Sequence, residues 1–127
     1  TTIMAESYEL GKIGEELAAE YLQKRGYKIL EQRWHDHHLE IDIIAFDTET
    51  NELVSAEVKT RKSGDFGSPE DAVDMKKIRR TVYATDFYMK LHKIRWSVRF
   101  DIFSIIIPEN GQARITHIKD AFYPPLG

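Results

Sequence analysis

The fold of this chain is decided by residues 39–61, which read LEIDIIAFDTETNELVSAEVKTR. Two runs of strand-forming residues flank a polar stretch at residues 48–51, and this pattern predicts an antiparallel hairpin. Four residues are a common hairpin loop length, and such a loop places Asp47 opposite Glu52. This one pair fixes which side chains meet along the whole hairpin.

Four charged side chains lie inside these two runs, where polar groups need a physical reason to be. Because strand side chains alternate between faces, Glu40 and Asp42 share one face of the first run. By the same rule, Glu57 and Lys59 share one face of the second run. The opposite faces carry Ile41, Ile43 and Ala45 in the first run and Val54, Ala56 and Val58 in the second.

The predicted register sets Asp42 opposite Glu57, with their Cβ atoms about 5 Å apart. Two carboxylates at that spacing repel each other unless a proton or a cation lies between them. A hard divalent ion such as Mg²⁺ prefers a few carboxylates plus water, and it fits this gap. The register also sets Glu40 opposite Lys59, whose amine could hold a water or a phosphate oxygen beside the metal. The hairpin therefore predicts a divalent-metal site.

A second interpretation of the hairpin needs no ligand. Glu40 and Lys59 would form a plain cross-strand ion pair, and Asp42 and Glu57 would be solvated on an open sheet face. We favour a functional site, because four charged groups share one face of two otherwise apolar strands.

The composition is typical of a soluble globular protein, with 42% hydrophobic and 31% charged residues among 127. This length suits a single domain over residues 1–127. The chain has no cysteine, so disulfides and thiolate zinc sites are excluded. No apolar run reaches membrane-spanning length, and no signal-peptide pattern is present. We therefore expect a cytoplasmic protein that does not contact a membrane.

The charge is unevenly distributed along the chain, although the net charge is only −3 and the pI about 5.9. Residues 1–58 hold 5 Lys or Arg against 13 Asp or Glu, whereas residues 59–95 hold 10 against 5. The acidic pI argues against tight non-specific nucleic-acid binding, but the basic stretch could meet phosphate beside an acidic metal site. The candidate nucleic-acid-binding residues are Lys59, Arg61, Lys76, Lys77 and Arg80. The alternative for this cluster is a solvated helix face.

Residues 6–25 show helical periodicity and end at Gly26, a typical helix cap. The predicted apolar stripe is Leu10, Ile13, Gly14, Leu17, Ala18, Tyr21 and Leu22. Gly11 and Gly14 lower helix propensity, so we expect them to allow close approach to a neighbouring backbone. Glu15 lies on the border of the stripe. It is either a site residue or a carboxylate that interacts with the helix dipole.

The remaining segments give the element order α-β-β-β-α-β-β. Residues 28–34 form a strand with Ile29 and Leu30 directed inward, and the histidine-rich residues 35–38 form a polar turn rather than a metal site. A helix with Ser68 as N-cap runs to residue 91, with a stripe of Met75, Ile78, Val82 and Met89. Strands follow at residues 96–107 and 113–118. The strand–helix–strand unit predicts a parallel crossover.

Two levels of resemblance follow from these residues. Asp42 followed after a turn by Glu57-Val58-Lys59 resembles the D…E-x-K signature of the restriction-endonuclease-like, or PD-(D/E)XK, nuclease superfamily. At closer range the chain resembles the YraN-like family of uncharacterised bacterial proteins. The blocks that carry this resemblance, in the family's order, are Gly11-x-x-Gly14-Glu15-x-x-Ala18, Glu40-Ile41-Asp42, Glu57-Val58-Lys59-Thr60-Arg61, Ala72-Val73 followed by Lys77, Arg99-Phe100-Asp101 and Ile118-Lys119-Asp120-Ala121-Phe122.

The resemblance implies an α/β fold with a restriction-endonuclease-like core, α-β-β-β-α-β, in which helices flank a mixed central sheet. It implies that Asp42, Glu57 and the Val58 carbonyl bind Mg²⁺ or Mn²⁺, and that Lys59 positions or activates the attacking water. A glutamate on the first helix joins the site in the similar archaeal Holliday-junction resolvases, and Glu15 fits that position. Glu40 and Lys77 belong to the matching blocks and are expected to support the site.

The implied function is a metal-dependent endonuclease that hydrolyses DNA phosphodiester bonds, on branched or other recombination and repair intermediates. Resolvase-like nucleases act as dimers, so the resemblance also implies a homodimer. Two other functions stay open at this point. The chain could be a nucleic-acid-binding module without catalysis on the same fold, or a structural or partner-binding domain whose charged face is solvated.

Overall fold

The computed structural model of the chain describes residues 3–63 and 74–122. Five strands form one mixed sheet in the order β1-β2-β3-β4-β5, and β3 and β4 are its parallel pair. The elements are α1 (Ile3–Lys24), β1 (Lys28–Asp36), β2 (Leu39–Asp47), β3 (Glu52–Lys62), α2 (Met75–Leu91), β4 (Val98–Ile107) and β5 (Arg114–Ile118). This α/β architecture and the parallel crossover through α2 confirm the predicted element order. The histidine-rich turn is confirmed at residues 37–38, whereas residues 35–36 belong to β1.

The hairpin register is confirmed where β2 and β3 are paired. Asp47 lies opposite Glu52, and the ladder continues in the predicted register to Ile43 opposite Ala56. The paired residues end there, so the ladder does not reach Asp42. The site residues therefore lie beyond the end of the hairpin ladder, where the two strands no longer bond to each other residue by residue.

The two helices pack on opposite faces of the sheet, which we call the α1 face and the α2 face. The α1 face has the larger apolar core, in which Ala18 and Leu22 contact Ile43 and Phe103. The smaller core of the α2 face contains Leu53, Ala84 and Tyr88. Alternate residues of β3 serve the two cores, because strand side chains change face at every step.

The predicted alternation along β2 is wrong at its first residues. Ile43 and Ala45 belong to the core of the α1 face, as expected, but Ile41 packs with Leu53 and Tyr88 on the α2 face. The change of face takes place across Asp42. The Asp42 side chain therefore does not follow the regular alternation of faces, and it lies in the gap between β2 and β3.

Close packing of α1 on the sheet depends on one of its two glycines. A Cβ built at Gly14 would overlap the Thr60 side chain, whereas a Cβ at Gly11 meets no atom within 4 Å among the described residues. Gly14 thus does allow a close approach, although to the Thr60 side chain and not to a backbone, and the prediction is wrong for Gly11. Gly26 ends the helix with φ +88°, which confirms its role as a cap. The predicted inward positions Ile13 and Leu30 are wrong, with 44% and 37% of their surface exposed.

The described part of the second helix begins at Met75, with Asp74 as N-cap; the Asp74 carboxylate accepts a hydrogen bond from the Lys77 backbone N–H at 2.8 Å. The predicted N-cap, Ser68, lies outside the described residues. The predicted stripe is only partly right, since Met75 is 53% exposed. The buried residues of α2 are Thr81, Ala84, Thr85 and Tyr88. Threonines are less apolar than the residues that define a stripe in sequence, and here Thr85 is held by a 2.8 Å hydrogen bond to Ser55 of β3.

A buried ionic cluster lies at the opposite end of the sheet from the point where β2 and β3 separate. The Arg99 guanidinium donates to Asp101 at 2.9 Å, to Asp47 at 2.8 Å and to the Tyr27 hydroxyl at 2.8 Å. His117 contacts Asp101 at 2.7 Å, so the cluster joins β2, β4 and β5. The block Arg99-Phe100-Asp101 therefore has a structural explanation in this chain.

No helix in the described ranges has the length and apolar character needed to span a membrane.

Candidate active site

A cavity of about 700 Å³ opens where β2 and β3 separate, and we call it the carboxylate cavity. Residues of α1, β2, β3 and α2 line it, so both faces of the sheet contribute. Of the ten predicted site residues it brings together Glu15, Glu40, Asp42, Glu57, Val58, Lys59, Lys77 and Arg80. Arg61 and Lys76 are the two predicted nucleic-acid-binding residues that do not line it.

Asp42 occupies the gap between the two strands. Its Oδ2 accepts a hydrogen bond from the Val58 backbone N–H at 2.8 Å, which replaces a ladder bond of the hairpin. Burial raises the pKa of Asp42 to about 7, and the charges of Glu57 and Glu15 add to that effect. The Val58 bond and the Lys77 charge act in the opposite direction without cancelling it. Asp42 is therefore a carboxylate whose negative charge lacks sufficient compensation.

Glu57 faces α2, as the alternation of β3 requires. Only 9% of its side chain is exposed, and Lys77 Nζ lies 2.5 Å from its Oε1. Burial lowers the pKa of Lys77, but the Glu57 charge and hydrogen bond outweigh burial and raise the pKa above its ordinary value. Glu57 thus holds the Lys77 ammonium at the site, which is the position predicted for Lys77 as a supporting residue.

Glu15 reaches the same cavity from α1. Burial raises its pKa, and the negative charges of Glu57 and Glu40 raise it further, while Arg33 lowers it. Arg33 Nε lies 3.0 Å from Glu15 Oε1. Even so, no hydrogen bond of good geometry reaches this buried oxygen from the described residues. The helix-dipole alternative does not account for this position, because Glu15 lies far from the first turn of α1.

The predicted ion pair between Glu40 and Lys59 is wrong. Both side chains are exposed and line the cavity, but no ion pair or hydrogen bond joins these two described residues. The reason is that the ladder ends at Ile43 and Ala56, three residues before the pair would form. Lys59 is therefore available to the cavity instead of being neutralised across the strands.

Several residues in or beside the carboxylate cavity were missed by sequence reasoning. Arg33 of β1 carries no motif and does not line this cavity, but it contacts Glu15, which does. Thr60 lies against Gly14, and its buried Oγ1 has no hydrogen-bond partner among the described residues. His38 lines the cavity from the turn after β1. A signal existed for Thr60, since it follows Lys59 inside the quoted block.

The carboxylates do not form a preassembled multidentate metal site. Within residues 3–63 and 74–122, no group of three or more His, Asp and Glu side chains is spaced to hold a metal ion. Glu57 and Glu15 each have a cationic neighbour, Lys77 and Arg33 respectively. The groups that would suit a hard cation are nevertheless there: the undercompensated Asp42, Glu57, and the unbonded Glu15 oxygen.

The Val58 carbonyl is suited to join them. The N–H and C=O of one residue in an extended strand point to the same edge. Since the Val58 N–H reaches Asp42, its carbonyl is directed to the same gap. Two carboxylates and one carbonyl are oxygen ligands of the kind that Mg²⁺ and Mn²⁺ accept together with water.

Comparison with known proteins places the chain in a family. Residues 14–105 match the model of the family described as "Uncharacterised protein family UPF0102". A UPF0102 protein of Bacteroides thetaiotaomicron is 55% identical over 123 residues, covering 97% of this chain and 99% of that protein. A UPF0102 protein of Flavobacterium psychrophilum is 48% identical over 120 residues, covering 94% of this chain and 98% of the relative. The family model covers most of the chain and the relatives cover nearly all of it, so the chain belongs to protein family UPF0102, the YraN-like family.

Proposed function

We propose that the protein is a divalent-metal-dependent nuclease of the restriction-endonuclease-like superfamily that hydrolyses DNA phosphodiester bonds. The observation that carries this proposal is the meeting of Asp42, Glu57 and Glu15 with Lys59 at one open cavity. Burial and the neighbouring carboxylates raise the pKa of Asp42, and a bound cation would relieve the repulsion between the carboxylates. The neighbouring amines suit a phosphate that arrives with the metal.

Asp42, Glu57 and the Val58 carbonyl would hold Mg²⁺ or Mn²⁺, and Glu15 would hold a second ion or a water bound to the first. Such an ion would polarise the phosphoryl oxygens and lower the pKa of water at the site. Lys59 would hold the attacking water or a phosphate oxygen, since it is exposed and lines the cavity. As the P–O bond to the water oxygen forms, the water releases one proton to solvent. The P–O bond to the leaving sugar oxygen breaks, and the leaving oxygen takes up a proton from solvent.

The basic residues divide by position. Lys77 and Arg80 line the cavity and would contact phosphate next to the cleaved bond. Lys76 is exposed on α2 outside the cavity, where it would contact phosphate farther along the strand. Arg61 is half-buried on β3 and already has an interaction of its own, so we assign it a smaller part in binding. A homodimer that presents two such cavities would suit two-stranded substrates, and sedimentation analysis tests that assembly.

The test of the proposed function is cleavage of labelled branched, linear duplex and single-stranded DNA with Mn²⁺ or with EDTA. We expect Mn²⁺-dependent products from the wild-type protein and none from Asp42→Asn or Glu57→Gln. The matched control is Asp86→Asn, because Asp86 is an exposed carboxylate on α2 that pairs with Lys90. Cleavage that persists in both site variants would identify a contaminating nuclease and contradict the proposal.

A second function is favoured by one observation, the absence among the described residues of three metal-ligating side chains at bonding distance. On this alternative, Lys77 remains the permanent partner of Glu57, and the fold binds nucleic acid without cutting it. Calorimetric titration with Mn²⁺ separates the two functions. Binding that is lost in Asp42→Asn supports the nuclease, whereas DNA binding without any Mn²⁺ binding supports the non-catalytic module. A protein that binds neither would instead be a structural or partner-binding domain.

A further inference from the structure

A second cavity, of about 350 Å³, adjoins the carboxylate cavity, and we call it the Tyr8 cavity. The two cavities share Glu15, Glu40 and Asp42. The other residues that line the Tyr8 cavity include Tyr8, Arg33 and Trp34, and the Trp34 ring itself packs on Tyr88 of α2. Its volume lies within the range of pockets that hold small organic groups. A ligand that occupied both cavities would therefore cross the site at the three carboxylates.

The Tyr8 side chain, which carries a large aromatic ring, is mostly exposed to solvent. It keeps 57% of its surface in solvent, although it stands on a helix that packs on the sheet. The Arg33 guanidinium carbon lies 4.7 Å from the centre of its ring, and Arg33 Nη1 donates to the Tyr8 hydroxyl at 3.4 Å. The ring is thus held in place by a cation while much of its surface stays open. A planar π-system bound there would stack on the ring or on the guanidinium.

The charges around the Tyr8 cavity determine which part of a nucleotide could enter it. Glu15, Glu40 and Asp42 form the acidic side of the Tyr8 cavity, and a phosphate lodged there would be repelled. An uncharged nucleobase has no such cost. Phosphate is better placed in the carboxylate cavity, where a divalent ion would compensate the carboxylates and where Lys59, Lys77 and Arg80 lie.

We propose that the Tyr8 cavity binds an unpaired nucleobase of the strand whose phosphate lies in the carboxylate cavity, with Tyr8 stacking on that base and Arg33 supporting it. This inference rests on the proposed function and adds the substrate class. A base inside a duplex is paired and stacked, so it cannot enter the cavity. The preferred substrate is therefore DNA with a single-stranded segment at the cleaved bond, such as a flap, an overhang or an open junction.

The experiment measures binding rather than cleavage. Fluorescence anisotropy in Ca²⁺, a hard divalent ion that can compensate the carboxylates, gives the dissociation constants of a labelled single strand, of the same strand in a blunt duplex, and of the duplex with an overhang. Base–aromatic stacking makes a large contribution per base, so Tyr8→Ala should weaken single-strand and overhang binding about tenfold or more. Duplex binding should not change. Tyr8→Phe keeps the ring and should stay within about twofold of wild type for every substrate.

Tyr83→Ala is the matched control, because Tyr83 is 64% exposed on α2 and lines neither cavity. The inference is overturned if Tyr8→Ala binds the single strand like wild type, if it weakens duplex binding equally, or if Tyr83→Ala causes the same selective loss. Its failure is separate from failure of the proposed function. If cleavage depends on Asp42 but Tyr8→Ala has no effect on binding, only the proposed base site is contradicted. If Tyr8→Ala weakens single-strand binding selectively but no cleavage occurs, only the proposed nuclease activity is contradicted.

Discussion

Asp42 Oδ2 accepts a hydrogen bond from the backbone N–H of Val58 at 2.8 Å, just beyond the last paired residues of β2 and β3. The Asp42 side chain takes the place of a backbone acceptor here, and it joins the two strands at the point where their ladder ends. The same bond fixes a poorly compensated carboxylate in the opening of a cavity that both helices line. The end of the hairpin ladder and the candidate site are thus one feature.

The raised pKa of Asp42 predicts that this group destabilises the fold as pH rises. Its pKa is about 7 in the folded chain against an ordinary value of 3.8, so the folded chain binds more protons than the unfolded chain between these pH values. Stability must therefore fall from about pH 4 to about pH 7, by at most roughly 4 kcal/mol for this group at 1.4 kcal/mol per unit. Asp42→Asn keeps an acceptor for Val58 and removes the charge.

Urea unfolding at pH 5 and pH 8 measures this effect. We expect Asp42→Asn to be more stable than wild type at pH 8, by on the order of 2 kcal/mol, and to differ less at pH 5. The difference between the two proteins isolates Asp42 from the other titrating groups. A stability difference that is the same at both pH values would contradict the assignment.

Lys77 is predicted to act as a replaceable cation beside Glu57. Lys77→Gln leaves Glu57, 9% exposed, without its partner, so we expect a loss of about 1–3 kcal/mol in EDTA. Mn²⁺ should then restore more stability to Lys77→Gln than to wild type, because an ion can take the place of the lost ammonium. Thermal unfolding with and without Mn²⁺ measures both effects.

Lys76→Gln serves as the comparison, since Lys76 is exposed on the same turn of α2 and does not line the cavity. It should change the melting temperature little in either buffer. If Mn²⁺ stabilises Lys77→Gln and Lys76→Gln by equal amounts, Lys77 does not occupy the place of a cation.

The hairpin shows how much of the site could be predicted from sequence. A four-residue loop fixed the register, and the observed pair of Asp47 and Glu52 agrees with it. What could not be predicted is where the ladder stops, because strand separation depends on α1 and α2 packing on both sides of the gap. For this reason Glu40 and Lys59 were expected to neutralise each other and do not.

Contacts between elements that lie far apart in the sequence could not be predicted for a similar reason. Arg33 reaches Glu15 across separate elements, and no local pattern marks it. The buried face of α2 includes Thr81 and Thr85, which a search for apolar periodicity passes over. Arg99 looked like one member of a block, but it is the centre of a buried ionic cluster. Polar burial of this kind depends on partners that only the tertiary structure supplies.

The two glycines of α1 give a matched pair of stability predictions. Gly14→Ala places a methyl group against Thr60 and should destabilise the fold by about 1–3 kcal/mol. Gly11→Ala meets no described atom within 4 Å and should stabilise it by about 0.5–1 kcal/mol through helix propensity. Chemical denaturation of both variants checks the prediction. Equal effects of the same sign would show that α1 does not approach β3 as closely at Gly14 as the structure has it.

The cluster around Arg99 is predicted to set the acid stability of the fold. Burial alone would raise the pKa of Asp47, but hydrogen bonds from Arg99 and from two backbone amides lower it to about 2. Its contribution is therefore complete above about pH 4 and is lost as the pH falls toward 2.

Arg99→Met removes the cation beside the buried Asp47 and Asp101 and should cost about 3–5 kcal/mol at pH 7. Asp101 keeps its contact with His117, and Asp47 keeps its bonds from backbone amides. Tyr27→Phe removes one hydroxyl, which bonds Arg99 and Asp47, and should cost about 1 kcal/mol. Without Arg99, burial raises both carboxyl pKa values, so the stability gap between Arg99→Met and wild type should narrow on going from pH 7 to pH 3. Denaturant unfolding at these two pH values measures the gap, and a gap that stays constant would mean that Arg99 contributes through shape and not through charge.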